Sequence, residues 1–429
     1  MFSSINISNT LGNPKEQPDL RMKENVEDFI VQEVVDNVKC VFLPLIRLEK
    51  YYEAEKLLKE LPKNEILKEE RRNVYSIVNY HPFVRVFTKD SKFILEKQME
   101  DVFVFTLLKY DYSFNSLINL LTNRLGVCNN CIQMGGTKDK RGITLQEVSV
   151  KCSFERLFNY AYTLSKNESL KIPKLGYEQL IDETNEKIKL EMEKHMKVDL
   201  MEVSDPIMIF NIRRGNSKKL GDLDGNFFRI KIRGLYGFKL EQTLFLNYFG
   251  PQRFGTNLNN HVVGKCILDE KYDEALDLIL WDNQNYNPVQ KMIIKLRDSK
   301  NKAKFIVSRL PRHVQMIYLH AYQSFLFNES INERFESKSP KVNEDKVLKN
   351  GVFEDATKME SLENIYLPLK KMENKLLKGG LRKMIEEMKE IDFYEDSEGT
   401  VINFYLSKSC YATVALRELI GNFSLASGE

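Results

Sequence analysis

Cysteine is scarce in this chain: there are six in 429 residues, and only Cys128 and Cys131 stand close together. One Cys-x-x-Cys with no second pair is weak grounds for zinc, and sparse cysteine suits a reducing, intracellular compartment better than a disulfide scaffold. Histidine is rarer still, at five, and none is paired at metal-ligand spacing. No metal or cofactor is expected. No apolar run approaches the roughly 18 residues of a membrane span; VFLPLI at 41–46 is typical of the longest. Residues 1–20 lack a basic start followed by an apolar stretch, so no secretory leader is expected. Neither GxxxxGK[ST] nor GxGxxG occurs, which removes two common phosphate cradles. The net charge is only +3, which excludes a histone-like chain while leaving room for a local basic face.

What is present is enough to fold. Hydrophobic residues make up 42% and aromatics 11%, incompatible with global disorder. The length predicts roughly two to four domains. Residues 1–20 read as a flexible tail. VEDFIVQEVV (26–35) alternates and is rich in β-branched residues, which predicts a strand. Residues 47–72 and 176–198 are charged helical stretches, the first a solvated hairpin broken at Pro62. Residues 112–126 predict a helix capped by Ser113 and Gly126. A strand at 131–134, the loop GGTKDKRG (135–142) and a strand at 143–150 follow. Residues 226–233 (NFFRIKIR) alternate apolar with Arg229, Lys231 and Arg233. From about 256 to 386 the pattern turns helical, with no strong strand signal before the 360s. VINFYL (401–406) predicts a last strand and ATVALRELI (412–420) a last helix, stopped by Gly421.

Three constellations could carry chemistry. The loop 135–142 sets Asp139 among Lys138, Lys140 and Arg141, with glycines at both ends. Such cations favour an ionised carboxylate, suited to a nucleophile or base, although the spacing alone favours a plain charged hairpin turn. Residues 247–255 (NYFGPQRFG) place Tyr248, Phe249 and Phe254 beside Arg253. That set suits stacking on an extruded base, or a Gly/Pro turn whose aromatics enter the core. Residues 210–240 hold eight cations, Arg213 and Arg214 among them, against two carboxylates. They suit phosphate contacts or a solvated charged face. His320 lies in an apolar-aromatic helix and reads as packed or RNA-facing.

Together, in sequence order, these segments resemble the TruD family of RNA pseudouridine synthases. Residues 26–31 (VEDFIV) are similar to its PEDF-x-V element, 135–146 to its GxKD loop, 225–228 to GN-x-F and 247–255 to N-x-FG-x-QRFG. Residues 320–328 (HAYQSFLFN) resemble the helix that follows, and 411–419 (YATVALREL) the C-terminal element. The Thr137–Gly142 stretch resembles archaeal and eukaryotic members more than bacterial ones. Val26, Ser407 and Ser409 stand where the family has Pro, Pro and Gly, and Lys370 breaks the ending of an LPLP-like segment.

The resemblance implies an α+β fold, a mixed and largely antiparallel sheet flanked by helices, with an inserted TRUD domain. That insert is expected at 256–386, within a catalytic domain spanning 21–255 and 387–429. It implies Asp139 as nucleophile, Lys138, Glu27 and Asn247 as catalytic companions, and Phe249 stacked on the target base, with Tyr248 beside it. Lys23 falls on the basic position of the N-terminal element. Arg141, Arg213, Arg214 and Arg253 complete the expected substrate contacts. The implied substrate is tRNA at uridine 13, with small nuclear RNA or mRNA sites as further targets, bound by a monomer in nucleus or cytoplasm without a membrane. A catalytically inactive RNA-binding protein or chaperone of the same fold is the alternative.

Overall fold

A computed structural model describes the chain apart from residues 1, 12–13, 15–18, 41–42, 61–67, 79–80, 82–83, 90–91, 98–99, 166–203, 282–285, 337–345, 350–351, 356–365, 370–376, 378 and 426–429. An eleven-stranded sheet forms the centre. Its main path runs Lys389–Asp396, Gly399–Ser407, Gly225–Arg233, Phe29–Val35, Ile143–Ser153, Glu100–Tyr110, Ile207–Arg214. All neighbours on this path are antiparallel except one pair. Phe29–Val35 and Ile143–Ser153 run parallel, with Ile30 beside Ile143.

That parallel join positions the site. Two parallel strands in register start at the same edge, so the segments leading into them arrive side by side. These are residues 23–28 and the loop 135–142. The antiparallel Glu100–Tyr110 strand ends at that edge too, with Lys109 opposite Thr144 and Tyr110 opposite Ile143.

The edge is held by apolar cores on either side of the join. Strand alternation sends Phe228, Ile230, Ile232 and Phe404 into one cluster with Phe327, Val414 and Leu416 of the Arg312–Glu336 and Ala412–Ile420 helices. Phe103, Phe105, Val148 and Val150 pack against Leu117, Leu121 and Leu157 of the Phe114–Leu125 and Phe154–Ser165 helices. Ile30, Leu108, Ile143 and Leu145 fill a third cluster. Each fully buried Phe or Ile stabilises the fold by about 1.5–3 kcal/mol. The polar loop therefore rests on a scaffold it does not itself have to stabilise.

The chain leaves the sheet region at Leu244–Leu246 and returns at Ile385–Glu387, and these two strands pair antiparallel. Between them, the Asn260–Leu268, Tyr272–Leu280, Pro288–Asp298 and Ala303–Arg309 helices bury their own cluster around Val263, Leu276, Ile293 and Ile306. Among the described residues no helix is long and apolar enough to cross a membrane.

The capped helix is formed as its sequence predicts: Ser113 Oγ accepts from Ser116 N, and Gly126 takes a left-handed φ of 63°. The terminal helix ends at Ile420 before Gly421. The charged stretch at 47–72 becomes the Leu43–Glu60 and Lys68–Val78 helices; that at 176–198 and Lys370 lie outside the described residues.

Three expectations differ. Residues 2–11 pack onto the fold, with Phe2, Ile5 and Ile7 buried. Asn328 and Asn332 donate to the carbonyls of Ile5 and Asn6. Apolar residues spaced irregularly among Ser and Asn carry no periodic signal, so the sequence reads as tail. Val26–Asp28 is a 3-10 turn, and the strand begins at Phe29, because Asp28 turns back to accept from Asn25 N at 2.7 Å. A hairpin of Lys346–Lys349 and Val352–Asp355 interrupts the supposedly helical region. Its strands of four residues are too short to show alternation.

Candidate active site

The loop 135–142 is fastened along its length. Gln146 donates to the Gly136 carbonyl at 3.2 Å. The Lys138 ammonium is 2.7 Å from Glu33, a carboxylate that also accepts from Glu147 N at 3.0 Å. The Lys109 ammonium donates to the carbonyl of Asp139. Gly142 has φ +140°, and a Cβ there would fall 2.6 Å from the Phe29 carbonyl. Only glycine lets the loop cross the neighbouring strand so closely.

These ties present the Asp139 carboxylate to a cleft, with 26% of the side chain exposed. Its Oδ2 lies 2.8 Å from the Lys23 ammonium, which is 1% exposed and sits 4.1 Å above the Phe29 ring. Lys23 itself has a left-handed φ of 60°, a conformation unusual for a side-chain-bearing residue. Arg141 secures it by donating to the Lys23 carbonyl at 2.7 Å. Arg233 grips Asp28 at 2.8 and 2.9 Å through two guanidinium nitrogens, a bidentate arrangement that fixes geometry as well as charge.

Burial pulls the Lys109 ammonium down to about 8, against the opposing pull of Asp139 and with smaller effects of Lys138, Asp111 and Lys23. Next to it, burial and the Glu27 carboxylate push Tyr110 up to about 12. Tyr110 donates to Glu27 at 2.5 Å.

The cleft has a volume of about 390 Å³, inside the usual range of about 300–1,000 Å³ for small-molecule sites. Phe29, Val31, Asn226 and Phe228 give it a sheet floor, and Thr137–Asp139 form one wall. Gln252 and Arg253 of the Pro251–Arg253 turn, with Ile317, Cys410, Tyr411 and Ala412, form the others.

The structure therefore brings together Asp139, Lys138, Lys23 and Arg253 of the residues singled out in the sequence. Lys138 is bound to Glu33, so it anchors the loop from the cleft's wall. Arg141 braces the Lys23 segment, and Glu27 faces Tyr110. Asn247 is placed elsewhere: its Nδ2 donates to the Lys383 carbonyl at 3.0 Å and its Oδ1 accepts from Arg382 at 2.6 Å. Phe249 is buried against Phe327 and Tyr411, with the Arg382 guanidinium 4.2 Å from its ring centre. Tyr248 is in the core, its hydroxyl donating to Asn332 at 2.5 Å. Tyr411 lines the cleft, together with Phe29 and Phe228 of its floor. Arg213 and Arg214 lie at the far strand, 3.4 Å from Glu147 and 3.8 Å from Asp101.

Lys109, Asn226, Arg382 and Tyr411 have no role in the sequence-based expectation. Lys109 ends an apolar strand, where a cation reads as a solvated cap. Asn226 belongs to the quoted GN-x-F element, which is the one signal that pointed at it.

The chain is similar to several known proteins. The family model described as "tRNA pseudouridine synthase D (TruD)" matches residues 183–291 and 283–366. The human Pseudouridylate synthase 7 homolog is 27% identical over 399 residues, covering 82% of this chain and 53% of that protein. The chain thus spans about half the length of the vertebrate relatives it matches. The Probable tRNA pseudouridine synthase D of Archaeoglobus fulgidus is 25% identical over 410 residues, covering 75% of this chain and 89% of that protein. A crystal structure titled as the putative tRNA pseudouridine synthase D (TruD) of Methanosarcina mazei has a TM-score of 0.50 at 17% identity, covering 98% of both chains. The fold is α+β around a mixed sheet, as in that structure. Over residues 183–366 the chain is similar to the TruD family.

Proposed function

We propose that this chain isomerises uridine to pseudouridine in tRNA, with Asp139 as nucleophile and uridine 13 as the target. The observation that carries this reading is the Asp139 carboxylate, held against a buried ammonium and presented to an aromatic cleft of one-nucleoside size. A uridine stacked in RNA cannot enter such a cleft, so the base is extruded first. Asp139 attacks the anomeric carbon as the bond from C1′ to N1 breaks. The freed uracil turns over Phe29, Phe228 and Tyr411. Its C5 then bonds to C1′ and displaces the carboxylate; C5 gives up its proton and N1 takes one. No atoms or electrons enter or leave overall.

Lys23 offsets the carboxylate's charge at rest, while Lys138 and Lys109 fix the loop that carries it. The exposed Lys140 meets phosphates at the rim. Residues 256–386 are the inserted TRUD domain, in keeping with their separate helical core and with the pairing of the strands that flank them. The enzyme acts inside the cell as a monomer, and small nuclear RNA or mRNA sites are further substrates.

The test is carbodiimide labelling and reverse transcription of an unmodified tRNA transcript incubated with the protein. A new stop with wild type that is absent with Asp139→Asn is the expected result. A stop that persists in Asp139→Asn overturns the assignment of the nucleophile. RNA binding without a stop on tRNA or on total cellular RNA would identify the inactive RNA-binding alternative.

A further inference from the structure

Two polar atoms at the cleft lack partners. Asn226 Oδ1 and Arg253 Nε are both buried, and neither finds a hydrogen bond among the described residues. Both residues line the cleft that holds Asp139. A buried polar atom left unpaired costs about 1–3 kcal/mol, and each such atom in a folded protein calls for a reason. Asn226 pairs across the sheet with Glu33, whose carboxylate has no proton to give an amide oxygen, and the Lys138 ammonium donates to Glu33 instead. Alternation places Asn226 on the same sheet face as Phe228, which forms the cleft floor. Arg253 is fixed by its turn, its backbone N–H donating to the Gly250 carbonyl at 3.0 Å.

We propose that Asn226 and Arg253 together read the edge of the extruded base and select uracil over cytosine. The inference rests on the uridine-isomerising reading above and deepens it. Uracil presents N3–H as a donor between two carbonyl acceptors. Asn226 Oδ1 accepts from N3–H, and Arg253 donates to the C4 carbonyl, since cytosine shares the one at C2. Cytosine has an acceptor at N3 and an amino donor at C4. An amide can rotate to offer its NH₂ to that N3, so asparagine alone is permissive. Arginine has five donors and no acceptor, so beside a cytosine amino group it stays unpaired. The pair discriminates where either residue alone would not.

The experiment uses two tRNA transcripts that differ only in uridine or cytidine at the position mapped by reverse transcription. Affinities are measured in an Asp139→Asn background, so that bound uridine is not converted. The uridine transcript is expected to bind about tenfold tighter, the discrimination of one well-formed pair of base-edge contacts. Asn226→Ala and Arg253→Leu should each bring that ratio below about threefold. Asn226→Asp, which keeps an acceptor and much the same shape, should preserve it. An unchanged ratio in folded Asn226→Ala and Arg253→Leu overturns the proposal, as does Asn226→Asp behaving like Asn226→Ala. Failure of the underlying reading shows separately, as wild type that makes no pseudouridine in the uridine transcript.

Discussion

Two regions of this chain look alike in sequence and differ in what their charges do. The loop 135–142 and the stretch 210–240 are both rich in Lys and Arg. At the loop, cations from two other segments converge on one aspartate, Lys23 on its carboxylate and Lys109 on its carbonyl, and Arg141 holds the Lys23 carbonyl in turn. In the basic stretch, the cations meet local carboxylates. Lys231 lies 2.7 and 2.8 Å from Asp396 and Glu398, Arg233 holds Asp28 and Glu398, and Lys218 and Arg213 face Glu147. Charge density in sequence thus says little about available charge. What matters is whether an opposing strand brings carboxylates, and here Lys389–Asp396 and its turn do.

The sharpest way to break this comparison is at Lys23. Lys23→Met removes the ammonium that lies 2.8 Å from the Asp139 carboxylate. It should lower the single-turnover rate of pseudouridine formation by about 10²–10³-fold, with RNA affinity changed less than about threefold by filter binding.

Lys109→Met should slow the same step about tenfold and alter its pH profile. Lys109 titrates near 8 when folded, against 10.5 when unfolded. Between those values the unfolded chain binds more protons, so the contribution of this group makes stability rise with pH. Activity moves the other way: above about pH 8 the ammonium that holds the Asp139 carbonyl is lost. Wild type should show an alkaline limb there that Lys109→Met lacks.

Asn247→Ala should act through stability. It leaves the buried Arg382 short of a 2.6 Å hydrogen bond, a loss of about 1–3 kcal/mol visible as a lower melting temperature.

The smallest effect is expected at Lys231. Lys231→Ala should leave RNA affinity within about twofold and the salt slope unaltered, because the side chain is already paired, whereas Lys140→Ala, at an exposed cation of the loop, should reduce that slope by about one.

Much of the sheet and the position of Asp139 were legible from short-range signals: alternation in 143–150 and 226–233, the Ser113 and Gly126 caps, and glycines framing the loop. The partners of Asp139 were not. Lys109 is 30 residues away and Lys23 is 116 away, and the parallel join that unites them leaves no periodic trace. NYFGPQRFG admitted two readings for the same reason. Its aromatics suit a stacking platform or a core; Phe249 packs against Phe327 and Arg382, Tyr248 is buried with its hydroxyl on Asn332, and Tyr411, which follows Cys410 far along the chain, lines the cleft. Composition identified aromatic residues near a turn; only packing against the Arg312–Glu336 helix decides which of them remain open.

The most direct test of the account places 4-thiouridine at the mapped position of the tRNA transcript, irradiates the complex, and identifies the crosslinked peptide by mass spectrometry. Crosslinks to 137–139, 226–228, 252–253 or 410–412 are the predicted result. Crosslinks to 210–218 or 389–398, the charge-paired region, would contradict it.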